Sequence, residues 1–343
     1  MKYTALLLCT LFFYLVMNFA SAQSRIVVDP HGKGNFKTIQ EAVNSLTDSS
    51  ATDRIIYIKT GVYHEQVYIA KHHVILQGEN KETTIITGAI ADIIYSCNNP
   101  GNRYSGIVNL DGDDITLLNL SIENTYGLNA PDSVFVSCKN PNTHQSEKLK
   151  VLKNDHQFAL RSFQSTRLKV INCIIKGWGA DTVAPWNSET GMYYFRDCIM
   201  QGGTDFFCPR GWCYSENCTF ICLSPTAAAI WHDGHADITM KNVLKNCTFK
   251  GTAPYRLGRY HHDALFYLID CSFDRNLVDM PIYKAATAKE VLWGSRAYYY
   301  NCHREGRDFE WFNNNLDKDP VFTPVKNIIP VWAFAGKWDP LQH

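Results

Sequence analysis

Three polar side chains fall at one constant interval: Gln157, Asp181 and Asp205 are each 24 residues apart. If one turn of a coiled chain takes that many residues, equivalent positions on successive turns become neighbours about 4.8 Å apart, the spacing of hydrogen-bonded strands. An amide and two carboxylates then form a file on one face. Trp231 and His232 follow Asp205 by 26 and 27 residues and Arg259 follows Trp231 by 28, which extends the file by an aromatic ring and a guanidinium. Two carboxylates on adjacent rungs do not both ionise freely. One pKa is pushed up and the pair titrates as a coupled unit, the arrangement that acid–base chemistry uses.

The elements that must position these residues repeat on nearly the same beat. The phrases Asn172-Cys173-Ile174-Ile175, Asp197-Cys198-Ile199-Met200, Asn217-Cys218-Thr219-Phe220, Asn246-Cys247-Thr248-Phe249, Asp270-Cys271-Ser272-Phe273 and Asn301-Cys302-His303 have cysteines separated by 25, 20, 29, 24 and 31 residues. A recurring interval of that size, built from short β-rich runs without helical spacing, signals a solenoid. The expected fold is all-β, a right-handed single-stranded parallel β-helix. Further runs belong to it: Arg54 to Ile58, Val62-Tyr63, His73 to Leu76, Thr84 to Ile86, Gly106 to Val108 and Ile115 to Leu117. Between Thr38 and Leu46 the apolar residues Ile39, Ala42, Val43 and Leu46 have helical spacing. A short N-terminal helix there caps the open end of the solenoid, whose first strands would otherwise be an exposed edge. The stretch from Tyr126 to Lys153 breaks the beat and is expected to be an inserted loop beside the polar file.

Residues 1–22 have the form of a secretory signal, with Lys2, an apolar run from Ala5 to Met17 and Ala20-Ser21-Ala22 before Gln23. The run is too short for a membrane span. Residues 23–343 are expected to be one domain, exported, extracellular or, in a bacterium, periplasmic. The chain carries 33 basic and 33 acidic residues, and 32 against 33 without Lys2. That balance excludes the basic excess of nucleic-acid binding and requires an anionic substrate to be met by local positive charge. Twelve cysteines suggest disulfides, but six occupy the same place in each repeat, before an apolar residue, where a buried thiol stacks as a small hydrophobe. Cys208 and Cys213 are the expected bridge if one forms. Asn217-Cys218-Thr219 and Asn246-Cys247-Thr248 fit the glycosylation pattern, and burial in the ladder is expected to prevent modification. His232, His235, His261 and His262 lack compact ligand spacing, so no metal and no cofactor is expected.

Several phrases together resemble the pectin methylesterase (pectinesterase) family. Gly34 to Ala42 and Gly61-Val62-Tyr63-His64-Glu65 match near the start. Gln157-Phe158-Ala159-Leu160 resembles the family's Gln-Ala-Val-Ala-Leu, Asp181-Thr182-Val183 its Gln-Asp-Thr-Leu, Thr204-Asp205-Phe206-Phe207 its Val-Asp-Phe-Ile-Phe, and Leu257-Gly258-Arg259 its Leu-Gly-Arg-Pro-Trp. The resemblance implies a divergent esterase on a parallel β-helix that acts on methylesterified galacturonan. It implies Asp205 as nucleophile, Asp181 as proton donor and then acceptor, Gln157 as donor to the oxyanion, and Arg259 as the group that keeps Asp205 ionised.

Two departures are visible. The glutamine expected before the first aspartate is Ala180, and the tryptophan after the arginine is replaced within Tyr260-His261. Trp231, His232, Trp186 and Tyr260 are therefore the expected contacts to sugar. The expected partner is pectin or a related polysaccharide, with no nucleic acid, no stable membrane insertion and a monomeric state. Two other classes compete. A polysaccharide lyase would need a calcium-coordinating acidic cluster and a basic proton abstractor, for which the file offers too few groups. A relative acting on another ester or thioester, or binding carbohydrate without esterase activity, is the alternative that Ala180 raises.

Overall fold

β-branched and aromatic residues alternate along the chain in short runs, and these runs stack in parallel register. The computed structural model describes residues 25–139, 143, 145–233, 237–286, 291–294 and 296–342. The expected helix occupies Ile39–Asn44; the Thr38 side chain accepts a hydrogen bond from the Glu41 N–H, and Ile39, Ala42 and Val43 are buried. It packs against the first strands of the solenoid. Among the described residues no helix is long and apolar enough to cross a membrane.

Three faces wind around one core. A ten-stranded parallel sheet runs the length of the molecule, a nine-stranded sheet forms the second face, and a four-stranded and a three-stranded sheet share the third. The period of two in a strand sorts the residues between inside and outside. In Met192–Arg196, Tyr193 and Phe195 join the central core. Met192 and Tyr194 face outward, and there the C-terminal tail covers them with Leu316, Ile328, Ala333 and Phe334. No repeat or spacing in the sequence announces this contact.

The corner between the ten- and nine-stranded sheets explains the cysteine phrases. Asn172, Asp197, Asn217, Asn246, Asp270 and Asn301 all adopt left-handed backbone, with φ between 48° and 56°. Short polar side chains reach that region at lower cost than other residues because they can hydrogen-bond locally. Here they also bond to one another: Asn172 donates to Asn119 (2.8 Å), Asn246 to Asn217 (2.6 Å) and Asn301 to Asp270 (2.7 Å). Each following cysteine turns inward as a free, buried thiol. Beyond them Phe220, Phe249, Phe273 and Phe312 stack with centroids 4.7–5.2 Å apart.

Three expectations are corrected. Cys208 and Cys213 are both free and buried, and the disulfide joins Cys97 to Cys138. Cys208 packs with Phe158 and Ala184 and Cys213 lies in the central core, which keeps the two thiols in separate surroundings. The stretch from Tyr126 to Lys153 is not a plain loop: it holds a short helix, Tyr126–Asn129, and an antiparallel hairpin, Ser133–Lys139 with Ser146–Leu152. The disulfide ties that hairpin to the helix Asp92–Asn98. Asn217 and Asn246 are exposed at the corner, although the amide nitrogen of each is engaged within the ladder.

Candidate active site

The constant interval does place Gln157, Asp181 and Asp205 on consecutive turns. The Gln157 N–H donates to the Ala180 carbonyl (2.9 Å), the Asp181 N–H to Thr204 (3.1 Å) and the Asp205 N–H to Ala228 (2.7 Å). The file does not continue as the sequence suggested. Ala228 stands beside Asp205, and Trp231 pairs with Arg259 in a neighbouring file. Arg259 reaches back to Asp205 by its own length.

Asp181 and Asp205 both have left-handed backbone, φ 58° and 49°, and both are almost completely buried, 2% and 3% exposed. Their electrostatic surroundings differ. Arg259 Nε lies 3.1 and 3.0 Å from the two Asp205 carboxylate oxygens, and Nη2 donates to one of them as well. Burial pushes the Asp205 pKa up, and this guanidinium opposes the rise. Asp181 has no comparable grip. Its Oδ2 is buried without a hydrogen-bond partner among the described residues, and His156 Nε2 approaches it at 3.7 Å. Burial raises its pKa to about 7, with His156 opposing the rise and the Asp205 charge adding to it.

Gln157 is fully buried. Its Oε1 accepts from the Gly127 N–H (2.8 Å) and its Nε2 donates to the Lys153 carbonyl. Glycines hold it on both sides: a Cβ at Gly127 or Gly179 would stand 2.7 or 2.3 Å from the amide atoms. The structure thus places this amide as an anchor for the Tyr126 to Lys153 insertion, with both of its polar atoms engaged by backbone.

The four expected sugar contacts separate into two pairs. Trp186 and Trp231 are partly buried, meet edge to face at 6.4 Å, and have the Arg210 guanidinium 4.1 and 4.8 Å from their ring centroids. Their indole N–H groups donate to the Cys208 carbonyl and to Asp233, which fixes both rings. His232 and Tyr260 do not belong here. Each immediately follows an outward-facing residue, and alternation turns it into the interior: His232 is fully buried, donates from Nδ1 to the Pro209 carbonyl (3.0 Å), and has its pKa drawn down to about 4 by burial. Tyr260 packs in the central core. His261 stacks edge-on against Trp231 at 4.7 Å. His235 lies outside the described residues.

Two arginines and a histidine near the carboxyls were missed. Arg161 is buried and lies 3.6 Å from the Phe158 ring centroid and 3.3 Å from Asp92. Arg210 and His156 act with it on the Asp181 charge. His156 was findable, since it pairs with Ala180 one position from the Gln157–Asp181 rung. On the N-terminal side of the same face a cleft of about 550 Å³ is lined by Gln66, Tyr68, Tyr95, Tyr104 and Asn109.

Known proteins resemble this chain in sequence and in fold. A family profile described as Pectinesterase matches residues 25–151. Probable pectinesterase/pectinesterase inhibitor 58 of Arabidopsis thaliana is 30% identical over 241 residues, which are 68% of this chain and 36% of that protein. The chain spans between about a third and somewhat over half the length of the first curated relatives it matches. Among solved structures, the pectin methylesterase PemA from Erwinia chrysanthemi superposes with a TM-score of 0.66 at 19% identity, covering 94% of this chain and 99% of that one. A pectin methylesterase in complex with a hexasaccharide gives 0.66 at 19%, covering 93% and 98%. These structures share the parallel β-helix. With the sequence relatives and the family profile on the same side, the chain belongs to the pectinesterase family.

Proposed function

We propose that the protein is an exported carboxylic-ester hydrolase that removes methyl groups from methylesterified galacturonan through a covalent acyl-enzyme, with residues 1–22 as its leader. One observation carries this reading: of two stacked carboxyls, Asp205 is gripped by Arg259, and Asp181, buried without such a cation, holds its proton up to about pH 7. A nucleophile must be ionised and a proton donor must not be, so this asymmetry matches the two roles.

An Asp205 oxygen attacks the ester carbonyl carbon. The tetrahedral intermediate collapses as the Asp181 proton passes to the departing methoxide; methanol leaves and an anhydride joins Asp205 to the uronate. Water then attacks that carbonyl and gives a proton to the Asp181 carboxylate, and the bond to Asp205 breaks, releasing the uronic acid and restoring both carboxyls. Arg259 orients the attacking oxygen. Trp186 and Trp231 offer ring faces to the sugar, and the tyrosine-lined cleft on the same face extends the track along which a polymer would lie. The pectinesterase relatives support the choice of polymer.

The deciding experiment is methanol release by purified protein from galacturonan and other polymers of known esterification, with the Asp205→Asn variant alongside. Release that falls to background in the variant is the expected result. An unsaturated sugar chromophore instead of methanol would point to a lyase, and hydrolysis confined to a different ester or thioester would point to an altered relative.

A further inference from the structure

The C-terminal tail does not lie flat on the ten-stranded sheet. Between them is a cavity of about 390 Å³, at the lower end of the roughly 300–1,000 Å³ typical of small-molecule sites. Its floor comes from Lys241, from Leu265 and Tyr267 of the strand Leu265–Ile269, and from Arg296 and Tyr298 of the strand Arg296–Tyr300, and its lid from Asp319 to Val321 and Trp332. It is on a different sheet from the carboxyl pair.

Two cations line it without an ion pair among the described residues. Lys241 is 6% exposed; its Nζ has only a 3.5 Å contact to the Ala333 carbonyl and lies 4.7 Å from the Trp332 ring centroid. Arg296 donates from Nη1 to the Ile238 carbonyl, and its Nε and Nη2 are buried without a hydrogen-bond partner. Burial draws the Lys241 pKa down to about 8, with Arg296 adding to the fall. Leaving such groups unpaired costs free energy, and an anion placed between them recovers it. The walls are aromatic, from Tyr267, Tyr298 and Trp332, and one carboxylate is present. Asp319 accepts from the Tyr267 hydroxyl at 2.5 Å and is 8% exposed.

We propose that this cavity is a second carbohydrate site, which takes the ionised carboxylate of a uronate between Lys241 and Arg296 and stacks the sugar ring on its aromatic wall. Aliphatic faces of a pyranose pack on aromatic rings, a carboxylate suits paired cations, and Asp319 with the Tyr267 oxygen can receive ring hydroxyls. A methyl ester lacks the charge that the cations require. The site therefore selects the de-esterified product over the substrate and tethers the enzyme to chain it has already processed. The choice of uronate among anionic sugars rests on the function proposed above; the anion pocket itself does not.

The test is equilibrium binding of a fully de-esterified oligogalacturonide, followed by calorimetry and by hydrogen exchange, with a neutral galactan oligomer and benzoate as comparison ligands. Expected results are protection of residues 265–269 and 296–300, little binding of the galactan, and a loss of about tenfold to a hundredfold in affinity at this site in Lys241→Met or Arg296→Gln. Asp205→Asn should retain this binding even if it abolishes methanol release, which separates failure of this site from failure of the proposed function. Hydrogen exchange on the unaltered protein keeps the test decisive should either variant not fold. Protection confined to the catalytic face, unchanged affinity in both folded variants, or tighter binding of benzoate than of the uronate would each overturn the proposal.

Discussion

Asp181 and Asp205 stand on adjacent turns in the same left-handed conformation, and of the two it is Asp205 that Arg259 hydrogen-bonds. Equal backbones thus carry unequal carboxyls. The file fixes where the groups are, and a side chain from a more distant turn decides their charge.

The pH dependence of hydrolysis should follow Asp181. With its pKa raised to about 7 the carboxyl is protonated below that value, so kcat/KM should decline as pH rises through 7. Asp181→Asn should remove that limb from the pH–rate profile. Its rate penalty should shrink for esters whose leaving alcohol is more acidic, because a good leaving group needs less protonation.

Stability should carry the same signature. The folded pKa of Asp181 lies above its ordinary value of 3.8, so the group's contribution is fully present below about pH 4 and is lost as pH rises through 7. Denaturant unfolding at pH 8.5 should therefore find Asp181→Asn more stable than the parent, by on the order of 2–4 kcal/mol, with little difference at pH 4. A parent that stays the more stable at both values would contradict a buried, unpaired carboxylate.

Arg259 can be tested by comparing lysine and leucine in its place. Lysine keeps a charge but loses the two-oxygen contact, and leucine leaves Asp205 buried without a cation. The acidic limb of the pH–rate profile should move upward in both, further with leucine, because Asp205 would then hold its proton to higher pH. Turnover should fall in the same order.

Ala180→Gln addresses the missing donor. If the oxyanion position is open, the new amide should raise turnover with little change in KM, since the contact strengthens mainly in the transition state. No change would mean that the place is already filled. His156 is then the group to replace next, because it pairs with Ala180 and stands 3.7 Å from Asp181, whereas His232 is fully buried.

The thiols give a covalent check on the fold. Folded protein should resist alkylation at Cys173, Cys198, Cys218, Cys247, Cys271 and Cys302, all buried, and burial pushes the Cys173, Cys198 and Cys218 thiols further from the reactive thiolate. Mass spectrometry should find Cys97 joined to Cys138 and no bridge within the ladder. Reduction should raise hydrogen exchange in 133–152 and leave the strands of the solenoid protected.

What could be read from the sequence was whatever repeats. Asp181 and Asp205 were legible because one turn separates them, and the ladder cysteines because each follows the same corner. The errors fall where the beat is irregular or where strand alternation decides. Ala228, not Trp231, lies beside Asp205 because that turn is shorter than the ones before it. His232 and Tyr260 were assigned to the surface with their neighbours Trp231 and Arg259, although adjacent residues in a strand face opposite ways. Arg161, Arg210 and the C-terminal tail reach their places through contacts that no spacing announces.

The asparagine and aspartate corner has a consequence for how such a chain can diversify. The intervals between ladder cysteines range from 20 to 31 residues, yet the corner recurs at nearly the same φ on each of the turns that carries one. Any surplus length must therefore bulge elsewhere on the turn, and the hairpin beside Gln157 is the largest such bulge. Chain can be inserted or removed over the side that carries the carboxyl pair while the opposite edge stays in register like the spine of a book. Specificity is thereby free to drift at little risk to folding.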